Sequence, residues 1–290
     1  MKFCPWERAA DCRKSKQGPC RTAQPGSVKS CALRYQLPFV TLASVAALIF
    51  ALVGLPTVTM AQSVNDIISR GKLIVAIDTT TPPYGFLDEK LEPTGFDIDV
   101  AKKMGEALGV PVEFVTVTSP GRIPSLMTGQ VDAVISIFSI TPQRAIQVDY
   151  SNPYAGQSAV VIAPTGTQIA SHEDLVGKKV GVTRGTAEDG ILTAASEKLP
   201  GIEMLRFDDY SSLLQAMVSG QIDAMGGGDY GEIYLKKALG GDAFEQKYPL
   251  KTYYFGIGVA KDNHNLRQWI NTWLLGMKSD GSLEDLSMQY

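Results

Sequence analysis

The chain has 290 residues, 44% hydrophobic and 20% charged, which suits one large domain or two of ordinary size and excludes a disordered chain. Its charge is unevenly placed: residues 1–61 carry 8 Lys+Arg and 2 Asp+Glu, and the remainder, with 19 basic and 28 acidic residues, carries a formal −9. So acidic a remainder argues against nucleic acid and anionic lipid as partners.

No charge lies between Arg34 and Asp66, and "FVTLASVAALIFALVGL" (39–55) is almost wholly apolar. Lys29 and Arg34 precede it, and Thr59 and Ala61 put small residues where a signal peptidase reads. Residues 1–61 are therefore expected to be a leader, cleaved after Ala61, that sends the rest to the periplasm. The competing reading is an uncleaved membrane anchor, because this apolar run is borderline for a span. Cys4, Cys12, Cys20 and Cys31 all precede the apolar run, so none staples the exported part, and their spacing matches no zinc pattern.

The exported part begins with a short apolar strand in "GKLIVAID" (71–78). The next segment, "GFDIDVAKKMGEALG" (95–109), predicts a helix: Phe96, Val100, Met104 and Leu108 recur every four residues and Ala101 widens the stripe. Asp97 is expected to cap its start and Gly109 to close its end. "VPVEFVTVT" (110–118) reads as a strand, with "RIPSLMTG" leading a helix after it. In "SLMTGQVDAVIS" (125–136) a helix is expected to end at Gly129, with a buried strand following. Thr141 then reads as an N-cap and Pro142 as the first helical residue, which puts Arg144 in the first turn. The helix dipole disfavours a cation there, so Arg144 either points into water or helps to hold an anion.

Further on, "GKKVGVTRGT" (177–186) repeats the theme of the first strand. "YSSLLQAMVS" (210–219) predicts a helix with Leu213, Leu214, Met217 and Val218 inward, and "AMVSGQIDAMGG" (216–227) echoes residues 125–136. Strand, helix, strand thus occurs twice, roughly 100 residues apart, which points to two similar α/β lobes. "TYYFGIGVAK" (252–261) is expected to be one strand returning the chain between lobes. A last helix, "NLRQWINTWLLGMKSDG" (265–281), buries Leu266, Trp269 and Trp273.

Six stretches, "GKLIVAIDTTTPPYGF", "LEPTGFDIDVAKKMGEALG", "RIPSLMTGQVDAVIS", "SITPQRAIQVDYSNPY", "LVGKKVGVTRGT" and "GQIDA", stand in one order at suitable spacing. Together they closely resemble the extracytoplasmic solute-binding proteins of polar amino-acid ABC transporters, over about residues 70–290. The resemblance implies a two-lobed α/β periplasmic-binding-protein fold, type II, hinged by two crossover strands near 154–157 and 255–259. It sets lobe I at 66–156 plus 257–290 and lobe II at 157–256. It also implies an amino acid held between the lobes, a membrane permease as partner, no cofactor and a monomer.

Arg144 matches the family's arginine that grips the ligand's α-carboxylate, so the resemblance favours the second of its two readings. Ser139 and Ser136 match positions that supply hydroxyl and backbone contacts, though Ser136 is equally readable as structural. Backbone N–H groups of "RGT" (184–186) and the Thr186 hydroxyl would meet the same carboxylate. Asp229 would accept from the α-ammonium, but it lies one residue further past Asp223 than the family pattern, and a bulge at the three intervening glycines is expected to restore the alignment. Tyr84 and Phe86 would form an aromatic wall, although Thr81 stands where relatives often carry an aromatic. Asp78 either reads a cationic or amide side chain or holds the turn. Arg122 either meets a side-chain carboxylate, as in relatives handling acidic amino acids, or is solvated.

The competing function is an exported enzyme on the same scaffold, a cyclohexadienyl or prephenate-type dehydratase. Glu188 and Glu232 are the candidate acids for it, neither with a partner set. His172 and His264 suggest neither a dyad nor a metal site. The residues leave open whether a neutral, acidic or cationic amino acid is bound.

Overall fold

The computed structural model describes residues 63–239 and 241–290; the leader, with its apolar run at 39–55 and its cleavage site after Ala61, lies outside the described residues. Among the described residues, thirteen strands run in chain order: β1 (Leu73–Ile77), β2 (Thr80–Thr81), β3 (Gly85–Leu87), β4 (Pro93–Thr94), β5 (Val112–Thr116), β6 (Ala133–Val134), β7 (Val148–Tyr150), β8 (Ala155–Pro164), β9 (Lys179–Thr183), β10 (Glu203–Phe207), β11 (Ala224–Gly228), β12 (Phe244–Phe255) and β13 (Gly258–Ala260). They form two five-stranded sheets, ordered β5-β1-β6-β13-β7 and β10-β9-β11-β8-β12, and the small sheet β2-β3-β4.

The two large sheets are built alike. In each, a central strand pairs in parallel with both neighbours, β1 with β5 and β6, and β9 with β10 and β11. An antiparallel strand follows on the far side, β13 beside β6 and β8 beside β11. The sequence repeat has a physical basis here. Asp132 accepts from the Ile74 amide at 2.8 Å and donates its own N–H to the Ile74 carbonyl at 2.9 Å. Asp223 does the same to Lys179, at 2.7 and 2.8 Å. Each aspartate therefore ties the start of one interior strand to the start of its neighbour and completes backbone bonding at that end of the pair. Gly129 and Gly220 sit just past the preceding helices at φ 69° and 71°. The next residue bonds back to the helix in both copies, Gln130 to Ser125 at 3.0 Å and Gln221 to Ala216 at 2.9 Å, the paired closure that glycine permits.

The predicted helices fall at Phe96–Leu108, Tyr210–Val218 and His264–Ser279. Phe96, Val100, Ala101, Met104 and Leu108 are buried against β1 and the C-terminal helices. Val218, the last residue of its helix, is 40% exposed rather than turned inward. Residues 252–261 are not one strand: β12 ends at Phe255 in one large sheet and β13 begins at Gly258 in the other. Residues 256–257 therefore carry the chain from sheet to sheet, as residues 151–154 do between β7 and β8.

Candidate functional site

A cleft enclosing about 450 Å³ of atom-free space, its open mouth included, is lined by residues that follow strands of both large sheets. From the first sheet, Asp78 follows β1. Its Oδ1 accepts from the Thr80 amide and hydroxyl, both at 2.7 Å, and its Oδ2 lies 3.6 Å from Nη2 of Arg122. Arg122 opens the helix Arg122–Met127 and donates through Nε to the Ser136 hydroxyl at 3.2 Å. It is only 4% exposed, so it is not the solvated arginine of one reading. Burial pulls its pKa down, and the Asp78 carboxylate opposes that shift. Asp78, Arg122 and Ser136 thus form one buried polar network beneath the cleft, in which each group has a protein partner.

Ile137, two residues before Ser139, adopts φ 46°, a left-handed conformation that a β-branched residue reaches only under strain. The restraint is Asp97. Its Oδ2 accepts from the Ile137 amide at 2.7 Å, and its Oδ1 accepts from the Tyr154 hydroxyl at 2.8 Å. Asp97 therefore does not cap its own helix, whose N-cap is Gly95 without a side-chain bond; it reaches across to fix the loop that carries Ser139. Burial pushes the Asp97 carboxyl up to about 7, with its two hydrogen bonds acting in the opposite direction.

A folded pKa above the ordinary value means that the protonated form favours folding. This stability is complete below about pH 4 and is lost as pH rises to about 7. Asp97→Asn retains an acceptor for Ile137 and offers an N–H to the Tyr154 oxygen, so it should remove this dependence. Thermal melts between pH 4.5 and 8 should show wild type losing on the order of 3 kcal/mol relative to the variant. Parallel pH profiles for the two proteins would refute this account of Asp97.

Arg144 lies in the short helix Pro142–Ala145, with Thr141 as N-cap accepting from the Arg144 amide at 3.3 Å. Its guanidinium donates through Nη1 to the Ser139 carbonyl at 3.0 Å and through Nη2 to the Gly185 carbonyl at 2.9 Å. It sits 5.3 Å over the Phe138 ring. Gly185 belongs to the turn after β9, so this one side chain spans from the first sheet to the second.

On the second sheet's side, Thr186 caps the helix Ala187–Lys198. Its hydroxyl accepts from the Asp189 amide at 3.2 Å and donates to the Thr183 carbonyl at 2.8 Å, so capping occupies the hydroxyl that was expected to meet a ligand. Glu188, in the first turn of that helix, lines the cleft at 5% exposure and accepts from Gln157 Nε2 at 3.1 Å. Burial pushes its pKa up. Gly226, Gly227 and Gly228 pair with β8 in unbroken register, residue for residue. The expected bulge is therefore absent, and the glycines serve another purpose. A Cβ on Gly228 would stand 2.1 Å from the Tyr230 ring and 2.5 Å from Gln157 Oε1; one on Gly227 would stand 3.3 Å from the Tyr210 hydroxyl. Their missing side chains are what admit Gln157, Tyr210 and Tyr230 to the cleft.

Arg144, Ser139, Thr186, Asp78 and Arg122 line the cleft together, and Ser136 stands behind Arg122. The other expected residues lie elsewhere. Asp229 accepts from the Ser158 and Tyr230 amides at 3.3 and 3.0 Å and is not part of the lining. Tyr84 packs edge-on against Tyr230, Phe96 and Phe255, and Phe86 lines a separate groove with Leu87 and Ile233. Gln157, Thr183, Tyr210 and Tyr230 are lining residues that no local motif marks. Only the unusual "GGG" hinted that side chains must approach that strand closely.

Residues 73–290 match the bacterial extracellular solute-binding proteins, family 3. The chain belongs to this family. It is 31% identical to ABC transporter arginine-binding protein 1 of Escherichia coli, with 76% of this chain and 90% of that one covered. It is 34% identical to an ABC transporter glutamine-binding protein of Bacillus subtilis, over 74% of this chain and 79% of that one. Among solved structures, an ancestral amino acid-binding protein described as a precursor of cyclohexadienyl dehydratase superposes with a TM-score of 0.72 at 35% identity, over 78% of this chain and 98% of that one. As a family 3 protein the chain has the two-lobed, type II periplasmic-binding-protein fold, and its relatives are amino-acid-binding proteins of ABC transporters. Among the described residues no helix is long and apolar enough to cross a membrane.

Proposed function

We propose that the protein, exported to the periplasm by its cleaved leader, captures a free amino acid in this cleft as a monomer and hands it, chemically unchanged, to an ABC transporter permease. Residues 66–156 with 257–290 form one lobe and 157–256 the other, and the ligand's α-carboxylate sits on Arg144. The observation that carries this reading is the Arg144 guanidinium, which already bonds carbonyls on both sides of the cleft. A carboxylate held there touches groups from both lobes at once, so it favours the shut state over the open one by its differential affinity. Calorimetric titration of the purified protein with the common amino acids tests the proposal. Saturable binding of at least one is expected; no heat from any of them would end it.

One observation favours a second reading, the dehydratase. Glu188 is a buried carboxyl whose pKa is raised, in a cleft that also holds Arg122 and Arg144. When protonated, a carboxyl there has the character of a proton donor to the leaving hydroxyl of prephenate, the electron pair of the bond to the departing CO2 completing the aromatic ring, with the arginines holding the substrate's carboxylates. Incubation with prephenate separates the two readings: capture predicts unchanged prephenate, and a dehydrated product would establish the enzyme.

A further inference from the structure

The second sheet's end of the cleft holds an excess of hydrogen-bond acceptors. Gln157, Thr183 and Tyr210 are 7%, 5% and 5% exposed, yet Gln157 Oε1, Thr183 Oγ1 and the Tyr210 hydroxyl are buried without a hydrogen-bond partner. All three residues line the cleft together with Glu188. Buried polar atoms are almost always paired, and three unpaired ones lining a single cleft mark a place built for a ligand group. The chemistry of that group follows from what is already committed. The Gln157 amide nitrogen is given to Glu188, so the Oε1 left over can only accept. An ionised Glu188 also only accepts, and the two hydroxyls can accept as readily as donate. Neither of the cleft's arginines donates to these atoms: Arg122 bonds Ser136 and faces Asp78, and Arg144 bonds the Ser139 and Gly185 carbonyls.

We propose that Glu188, Gln157, Thr183 and Tyr210 form a cation subsite that receives a protonated amine of the ligand, with Glu188 rather than Asp229 as its counter-charge. An alkylammonium offers three N–H donors on one centre, which fits the Glu188 carboxylate and two of the three neutral oxygens at a time. Asp229 is unsuited, because its two oxygens hold the Ser158 and Tyr230 amides outside the lining. The amine is either the α-ammonium or the end of a basic side chain, and the two sources respond differently to the test below. The inference rests on the amino-acid reading of the cleft.

The test is calorimetry of wild type, Glu188→Gln and Asp229→Asn with L-lysine, L-arginine and L-glutamine. Glu188→Gln keeps a partner for Gln157 and removes the charge. It should weaken binding by about tenfold or more, the loss expected for a charge-assisted hydrogen bond, while Asp229→Asn stays within about twofold of wild type. Equal losses for all three ligands identify the α-ammonium. A loss for lysine and arginine that spares glutamine identifies the side chain. Either pattern supports the subsite.

Binding by Glu188→Gln within about twofold of wild type for every ligand would overturn it, and amino-acid capture would still stand. No binding by wild type would remove capture itself. Should Glu188→Gln fail to melt cooperatively, wild type alone decides. Norleucine should then bind at least tenfold more weakly than lysine, or a 2-hydroxy acid tenfold more weakly than its amino-acid counterpart; if both neutral analogues bind equally well, the subsite is refuted.

Discussion

Arg144→Ala should abolish ligand binding and leave the fold intact. Two parallel charge-assisted hydrogen bonds from one guanidinium contribute about 1.5–3 kcal/mol each, so the variant should bind at least about a hundredfold more weakly. Folding should hardly change. Arg144 is only half-buried, its helix spans just Pro142–Ala145, and the cap on that helix is Thr141. The carbonyls of Ser139 and Gly185 that lose their donor lie at the cleft, where water can replace it. Calorimetry beside a thermal melt reads both effects. Arg144→Lys should fall between wild type and Ala, because a point charge attracts a carboxylate without matching its two oxygens. Retained affinity in Arg144→Ala would place the carboxylate elsewhere in the cleft.

Arg122→Ala should do the reverse, destabilising the protein severely. It strips a cation from a pair in which Arg122 is 4% and Asp78 7% exposed, and it opens a void beneath the cleft. Removing one member of a buried pair typically costs about 3–5 kcal/mol, because the remaining charge stays buried without compensation. For a domain of this size that lowers the melting temperature by on the order of 10 °C. The double variant Arg122→Met with Asp78→Asn should recover much of the loss, since it removes both charges and retains acceptor capacity for the Thr80 amide. A melting temperature within about 2 °C of wild type for Arg122→Ala would show that the pair is not structural.

The two arginines show how much of the site a sequence can reveal. Both were candidates, and both line the cleft. Arg144 could be placed from local chemistry, because Thr141 and Pro142 define a helix start and a cation there needs a reason. Arg122 could not, because its surroundings come from Asp78 and Ser136, which follow β1 and β6 and are brought to it only by the folding of the sheet. The repeat was equally visible, yet the work of its aspartates was not, since Asp132 and Asp223 act on strand starts 58 and 44 residues away.

Local sequence is enough for the apolar stripe on Phe96–Leu108, the glycine helix ends at Gly129 and Gly220, the duplicated strand–helix–strand unit and the helix start before Arg144. These are local matters, set by periodicity and backbone conformation over a few residues. Which polar groups meet depends on how distant elements pack. Gln157, Glu188, Tyr210 and Tyr230 come from one strand and three helices. The contrast between Gly228 and Asp229 shows why motif spacing fell short. Gly226, Gly227 and Gly228 all line the cleft, whereas Asp229, just past the end of their strand, accepts from the Ser158 and Tyr230 amides instead. Glycine thus lines the cleft beside the expected carboxylate, and the buried carboxyl that lines it on this side is Glu188.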